Sequence, residues 1–215
     1  MTATERIADF TSGLEYGDLP AEVIEKVKVS VLHNLGVALA AGSMADEAVA
    51  YGRAMSAYDG GTGARLLVTG EEVSVMTAAY VNGATIHARA QDDVFFPGLT
   101  HVGATAIPAV LAVGEHRGST GEELIAALVA GYEAAASVSE GFAQRTTARG
   151  FRATGLYGVL GATAAVGRLM RLDRQQTVAA LGLATSMSSG TNQTWVAGTQ
   201  EWQFQVGGAA SAGIR

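Results

Sequence analysis

Along most of the chain, apolar residues recur every three or four positions, the period of a helix with one buried face. Ile7, Phe10 and Leu14 mark a first short helix over 3–14. Val23, Val27, Val31, Leu35 and Leu39 follow at intervals of four and give the next helix one buried stripe. Asp18 is placed to cap that helix, Pro20 suits its first turn and Gly42 its end. A third helix is predicted over 45–57, after which Asp59-Gly60-Gly61-Thr62-Gly63 breaks the pattern as a turn cluster. Ala64–Val68 reads as a short strand or an extended connection, and 74–89 returns to helix. Residues 103–116 form another helix that ends near Gly118. Ser119 and Glu122 have capping-box spacing ahead of the stripe Leu124, Ile125, Leu128, Val129 and Tyr132, which fades near Ser139. Residues 140–152 are polar and basic without a strong period. Gly155, Gly158 and Gly161 open an Ala/Gly-rich helix that reaches Leu169, and Asp173 caps one carrying Val178, Ala180, Leu181 and Ala184. Residues 188–207 are rich in Ser, Thr, Gly and Gln, and the final GGAASAGIR has the character of a small-residue helix getting under way.

No repeat or linker divides this pattern, so residues 1–215 are predicted to form a single all-α domain with at most one short strand. A helix stopped after two turns is marginal unless packed, so the chain is expected to be the front part of something longer.

Composition narrows the function classes. Hydrophobic residues make up 48% and charged residues 16%, enough apolar material for a real core and too little charge for a disordered chain. The 28 glycines are scattered through helical patterns, which predicts close helix packing rather than linkers. A net charge of -6 argues against nucleic acid or an anionic membrane as partner. With no cysteine, disulfides, thiolate catalysis, zinc–thiolate sites and iron–sulfur clusters are excluded. The N-terminal MTATERIADF lacks a basic stretch followed by an apolar run, and no apolar run reaches about 18 residues. A cytoplasmic protein is expected.

One stretch carries most of the candidate chemistry: HARAQDDVFFPGLTHVGATAIP, from His87 to Pro108. Asp92 and Asp93 are adjacent, so they point in different directions and at most one faces a shared pocket. The imidazole of His101 is a side chain suited to proton transfer; the competing reading has the aspartates capping the loop and His101 satisfying a buried backbone group. His87, Asp92, Asp93 and His101 offer donors for a divalent ion, but they form no helical H-x-x-x-H pair, and no metal is expected. The glycine triplet 155/158/161 has neither the G-x-G-x-x-G spacing nor a following Gly-Lys-Ser/Thr, so no nucleotide loop is read. No G-x-S-x-G elbow supports a hydroxyl nucleophile. Arg152, in GFRATG at the start of a helix, has the surroundings of a carboxylate site.

Taken in order, LLVTGEEVSVMTAAYVNGATIHA, THVGATAIPAVLAVGE, GEELIAALVAGYE, GFRATGLYGVLGATAAVGRLMRLD, ALGLATSMSSG and GGAASAGI make the chain resemble the MmgE/PrpD family, which includes 2-methylcitrate dehydratase, cis-aconitate decarboxylase and iminodisuccinate epimerase. The resemblance implies the family's large helical domain, without its smaller α+β domain and C-terminal helical return. It implies lyase or isomerase chemistry on a small carboxylic acid, no cofactor, and either a homodimer or association with a chain that supplies the missing domain. The family pattern H-x-x-D-[FY]-D-D meets His87, Ala90, Gln91, Asp92 and Asp93, so one expected aspartate is Ala90. The following family histidine is His101. The histidine of G-F-H-x-T-G is Arg152, with Thr154 kept, and the lysine and histidine of T-K-x-L-H-x-G are Trp202 and Gln205. By this comparison His101 is the proton-transfer residue and Asp92 or Asp93 orients it or contacts substrate. Arg152, Thr154, Gln205 and Trp202 line the substrate, and His87 is structural. Arginine holds its proton near neutral pH, so Arg152 can bind an anion but is a poor acid–base group. Trp202 and Gln205 make the wall more apolar, which favours a larger, less charged ligand than a tricarboxylate. The implied alternatives are an inactive family member serving as a binding or partner subunit, and an enzyme turned to isomerisation or cyclisation.

Overall fold

A computed structural model describes all 215 residues. The chain forms ten α-helices: α1 (Ala3–Gly13), α2 (Ala21–Leu39), α3 (Asp46–Asp59), α4 (Val75–His87), α5 (Gly103–Arg117), α6 (Gly121–Thr147), α7 (Ala153–Leu169), α8 (Arg174–Met187), α9 (Gln193–Ala197) and α10 (Glu201–Ala212). The one sheet is a hairpin of two-residue strands, β1 (Ala64–Arg65) and β2 (Glu72–Val73), paired Ala64 to Val73 and Arg65 to Glu72. The all-α expectation therefore holds, and the extended segment after the glycine turn finds a partner in residues 72–73, which carry no strand pattern of their own. No single helix is long and apolar enough to cross a membrane.

Helix α5 is the centre of the bundle. Its residues from Gly103 to Val110 are all buried, and Val102, Ile107, Val110 and Val113 join Leu128, Val166 and Leu169 in the largest apolar cluster. Helix α4 is buried almost continuously from Thr77 to His87, because it is small and apolar on every side and is walled by neighbours all round. Glycine sets how closely these helices approach. At the α6–α7 crossing, a Cβ on Gly161 would lie 2.9 Å from the Gly131 carbonyl oxygen and 2.8 Å from the Ala135 Cβ. One turn earlier, a Cβ on Gly158 would lie 2.7 Å from a methyl of Thr105 on α5. The glycine triplet is thus packing surface, as its three-residue spacing implies.

Several helix ends differ from the sequence reading. Asp18 accepts from the Glu15 amide at 2.9 Å and caps a short 3-10 turn, which leaves Pro20 at the N-cap of α2. Helix α6 is capped by Thr120 with Glu123, one residue later than expected, because the Ser119 amide is used to close the end of α5 on the Gly114 carbonyl. It also runs on to Thr147: Ser139 and Ala143 keep one thin face buried while the polar remainder meets solvent, so the apolar stripe ends before the helix does. Helix α10 starts at Glu201, so Trp202 and Gln205 lie on a helix rather than in the polar stretch that was expected before it.

Candidate active site

Within the His87–Pro108 stretch, residues 88–102 form a tight loop between α4 and α5. Helix α4 ends at His87, and the chain turns sharply with Ala90 at a φ of 51° and its amide on the His87 carbonyl at 2.9 Å. That left-handed step, uncommon for alanine, folds the loop back so that Asp92 sits beneath the histidine five residues before it. The loop is held from outside by the Gln91 carbonyl on His33 Nε2 of α2, at 2.9 Å. Its second half is pinned by a two-residue bridge between Phe95 and Thr100 and by a second left-handed residue, Leu99. His101 is then delivered to the start of α5.

Asp92 is the hub. Its side chain is completely buried, and its two carboxylate oxygens accept from two imidazoles: His87 Nδ1 at 2.7 Å and His101 Nδ1 at 3.0 Å. The two rings meet edge to face with centroids 4.5 Å apart. Burial pushes the Asp92 carboxyl up, but the hydrogen bonds from His101 and His87 outweigh it and bring the value down to about 2, so Asp92 is ionised at neutral pH. Burial holds His87 below the usual imidazole range despite that carboxylate. His101 differs from His87 in exposure: its side chain is 24% exposed, and only its Nδ1 is hydrogen-bonded. Its Nε2 is the one ring nitrogen of the cluster left for an incoming molecule. The His101 amide donates to Thr154 Oγ1 on α7 at 3.2 Å, which ties the histidine to the first turn of that helix.

Arg152, at the N-cap of α7, closes the far side. It is buried, one terminal nitrogen donates to His87 Nε2 and the other to the Trp202 carbonyl, and its guanidinium lies 5.3 Å from the centre of the Trp195 ring. Burial lowers its value to about 10, which still leaves it charged at neutral pH. The Trp202 ring stands edge-on to His87 at 5.1 Å and stacks with Trp195 at 5.4 Å. Gln205 lies outside this group and donates to the Thr191 carbonyl at 3.2 Å. Asp93 turns the other way, as adjacency requires. It accepts from Asn34 Nδ2 at 2.7 Å and from the Tyr132 hydroxyl at 2.8 Å, in a pocket that Gly103 leaves open by having no side chain. Burial and the Asp93 charge push the Tyr132 phenol well above its ordinary value.

Of the residues singled out from sequence, the fold therefore gathers His101, Asp92, Arg152, Trp202 and Thr154. It sets Asp93 on a separate network that anchors the loop to α2 and α6, and keeps Gln205 apart. Arg152, expected to meet a carboxylate, spends both terminal nitrogens inside the chain. His87, read as structural, sits at the middle of the cluster, and Trp195, which no motif marked, covers Arg152. Donor atoms of His87, Asp92 and His101 lie within 4.8 Å of one another, a reach that suits a divalent ion. However, each Nδ1 is matched to its own carboxylate oxygen at hydrogen-bond distance, and the Arg152 cation against His87 opposes a second cation. The donor set fits a hydrogen-bonded relay better than a metal site.

The profile of the MmgE/PrpD N-terminal domain matches residues 5–215. The chain belongs to the MmgE/PrpD family. Among relatives, the cis-aconitate decarboxylase of Aspergillus terreus is 25% identical over 217 residues, covering 98% of this chain and 44% of its own length. The cis-aconitate decarboxylase-like protein oryM of Aspergillus oryzae is 25% identical over 195 residues, covering 87% of this chain and 40% of its own length. The chain thus spans less than half the length of these MmgE/PrpD relatives. The matched region includes the whole His101–Asp92–His87–Arg152 cluster.

Proposed function

We propose that this chain carries the acid–base half of an MmgE/PrpD-type lyase, a dehydratase or decarboxylase acting on a small carboxylic acid without a cofactor. The observation that carries the reading is His101: its Nδ1 is held by a buried, ionised carboxylate while its Nε2 is free and reachable. A carboxylate behind an imidazole orients the ring and stabilises its protonated form, which is what a proton-transferring histidine needs. In decarboxylation the bond to the departing CO2 breaks and the carbon takes a proton, which the imidazolium form of His101 would supply from Nε2. In dehydration the same nitrogen would take a proton from carbon as the C–O bond breaks and hand it to the departing hydroxide, so that water leaves and the ring returns to its neutral form. Cis-aconitate, named in the relatives' activities, is the first substrate to test, followed by acids with a larger apolar part, which the Trp195–Trp202 wall favours. Because Arg152 is turned inward, the substrate carboxylates would be held by groups outside this cluster. A dimer partner or a further domain is the natural source, and the cytoplasm the expected setting.

The test is turnover of cis-aconitate, methylcitrate and related acids followed by NMR, with wild type and His101→Ala side by side. Turnover should fall by about 10²–10⁴-fold in the variant; activity unchanged by His101→Ala removes His101 from the mechanism. The inward commitment of Arg152 also favours a second reading, an inactive partner subunit. Binding of these acids without turnover in wild type would decide for it.

A further inference from the structure

The cluster has a proton logic that follows from one residue. A guanidinium has donors only, so the nitrogen it faces must present a lone pair. Arg152 faces His87 Nε2. His87, neutral because burial disfavours its charge, must then carry its proton on Nδ1, and that proton points at Asp92 Oδ1, 2.7 Å away. One carboxylate oxygen is thereby occupied. The other, Oδ2, is 3.0 Å from His101 Nδ1, and a carboxylate can only accept. Neutral His101 is therefore also the Nδ1–H form, with its lone pair on the exposed Nε2.

We infer that Arg152 is a positioning residue that sets the tautomers of both histidines, rather than an anchor for a substrate carboxylate. It acts on His101 only through His87 and Asp92. The other groups around His87 agree: Asp92 is its only anionic neighbour, Trp202 is uncharged, and His101 and Arg152 both disfavour a second positive charge there. Trp195 and the Trp202 carbonyl hold the guanidinium in place, so the segment from α9 to the start of α10 sets the angle at which it meets His87. Without Arg152, His87 Nε2 would be free to take a proton. An imidazolium would then compete with His101 for Asp92.

This inference rests on His101 being the proton-transfer residue, but its test needs no turnover. Histidine nitrogens of the 15N-labelled protein report tautomer directly by long-range 1H–15N correlation. In wild type near pH 7.5, His87 and His101 should both show the Nδ1–H pattern. In Arg152→Met, which keeps a long apolar stem but no donor, His87 should gain an Nε2 proton and titrate at higher pH than in wild type. Arg152→Lys, which keeps charge and donor, should restore the wild-type pattern. An Nε2–H or imidazolium His87 in wild type overturns the inference, as does a His87 spectrum that Arg152→Met leaves unchanged. Should Arg152→Met not fold, the wild-type and Arg152→Lys spectra still decide. A failed tautomer result with an intact His101→Ala effect would sink the role of Arg152 alone; the reverse pair would sink the proposed chemistry and leave Arg152 setting the tautomers of a histidine pair that transfers no proton.

Discussion

Replacing Asp92 by asparagine is the sharpest perturbation the site allows, because it preserves size and removes only the charge. The new amide would present one acceptor and one NH2 group where the wild type presents two acceptors. One histidine would therefore face a donor with its own Nδ1–H, and either its tautomer or the contact must give way. The magnitude follows from the carboxyl itself. In the fold its value drops from 3.8 to about 2, against a burial effect that pushes it up. That difference corresponds to about 2 kcal/mol in favour of the ionised form. Asparagine forfeits this and leaves a mismatched buried donor, so Asp92→Asn should cost about 2–4 kcal/mol at pH 7. For a chain of this size, melting should fall by roughly 4–16 °C. The pH dependence has a definite sign: a depressed carboxyl stabilises the fold above its unfolded value and loses that contribution as pH falls through the folded one. The deficit should therefore shrink between about pH 4 and pH 2, as the wild-type carboxylate takes up its proton. Urea denaturation followed by circular dichroism at a series of pH values measures this. A deficit below about 0.5 kcal/mol at pH 7, the size of an ordinary surface substitution, would refute the idea that Asp92 is the hub.

Two further outcomes are expected. Gly161→Ala drives a methyl into the Gly131 carbonyl and the Ala135 methyl, so it should cost about 1–3 kcal/mol in urea denaturation. Gly141→Ala, in the same helix pair with nothing within 4 Å of the new Cβ, should gain about 0.5–1 kcal/mol, and equal stability of the two variants would show that glycine does not set the α6–α7 approach. Thr154→Val removes the acceptor of the His101 amide; turnover should fall about tenfold with a stability loss near 1 kcal/mol, and an unchanged turnover number would show that this bond does not position the histidine.

Much of the bundle was legible in the residues themselves. The four-residue spacing of α2, the Asp173 cap and the left-handed Gly118 stop are local events, decided within a turn or two of chain, and local chemistry writes them. The three-residue spacing of Gly155, Gly158 and Gly161 showed that they share a face, although not what the face meets. The helix ends that sequence misplaced were set by competition with a neighbour, as when the end of α5 claims Ser119 and leaves Thr120 to cap α6.

The site divides along the same line. The sequence alone determined which chemistry was available: no thiol, no nucleotide loop, one loop rich in His and Asp, and two adjacent aspartates that could not face the same way. Only the tertiary structure decided which aspartate serves the histidines, because Asp92 and Asp93 are equivalent until α2 and α6 bring Asn34 and Tyr132 to one of them. Nor could spacing place Arg152, 65 residues beyond His87, against that ring instead of against solvent. A side chain's identity fixes what it can donate or accept, but its partner is whatever the packing of distant helices brings within about three ångströms. His87 and His101 are the same residue at the two ends of one loop. One is sealed between Asp92 and Arg152 while the other keeps a free nitrogen at the surface, a difference that burial alone creates.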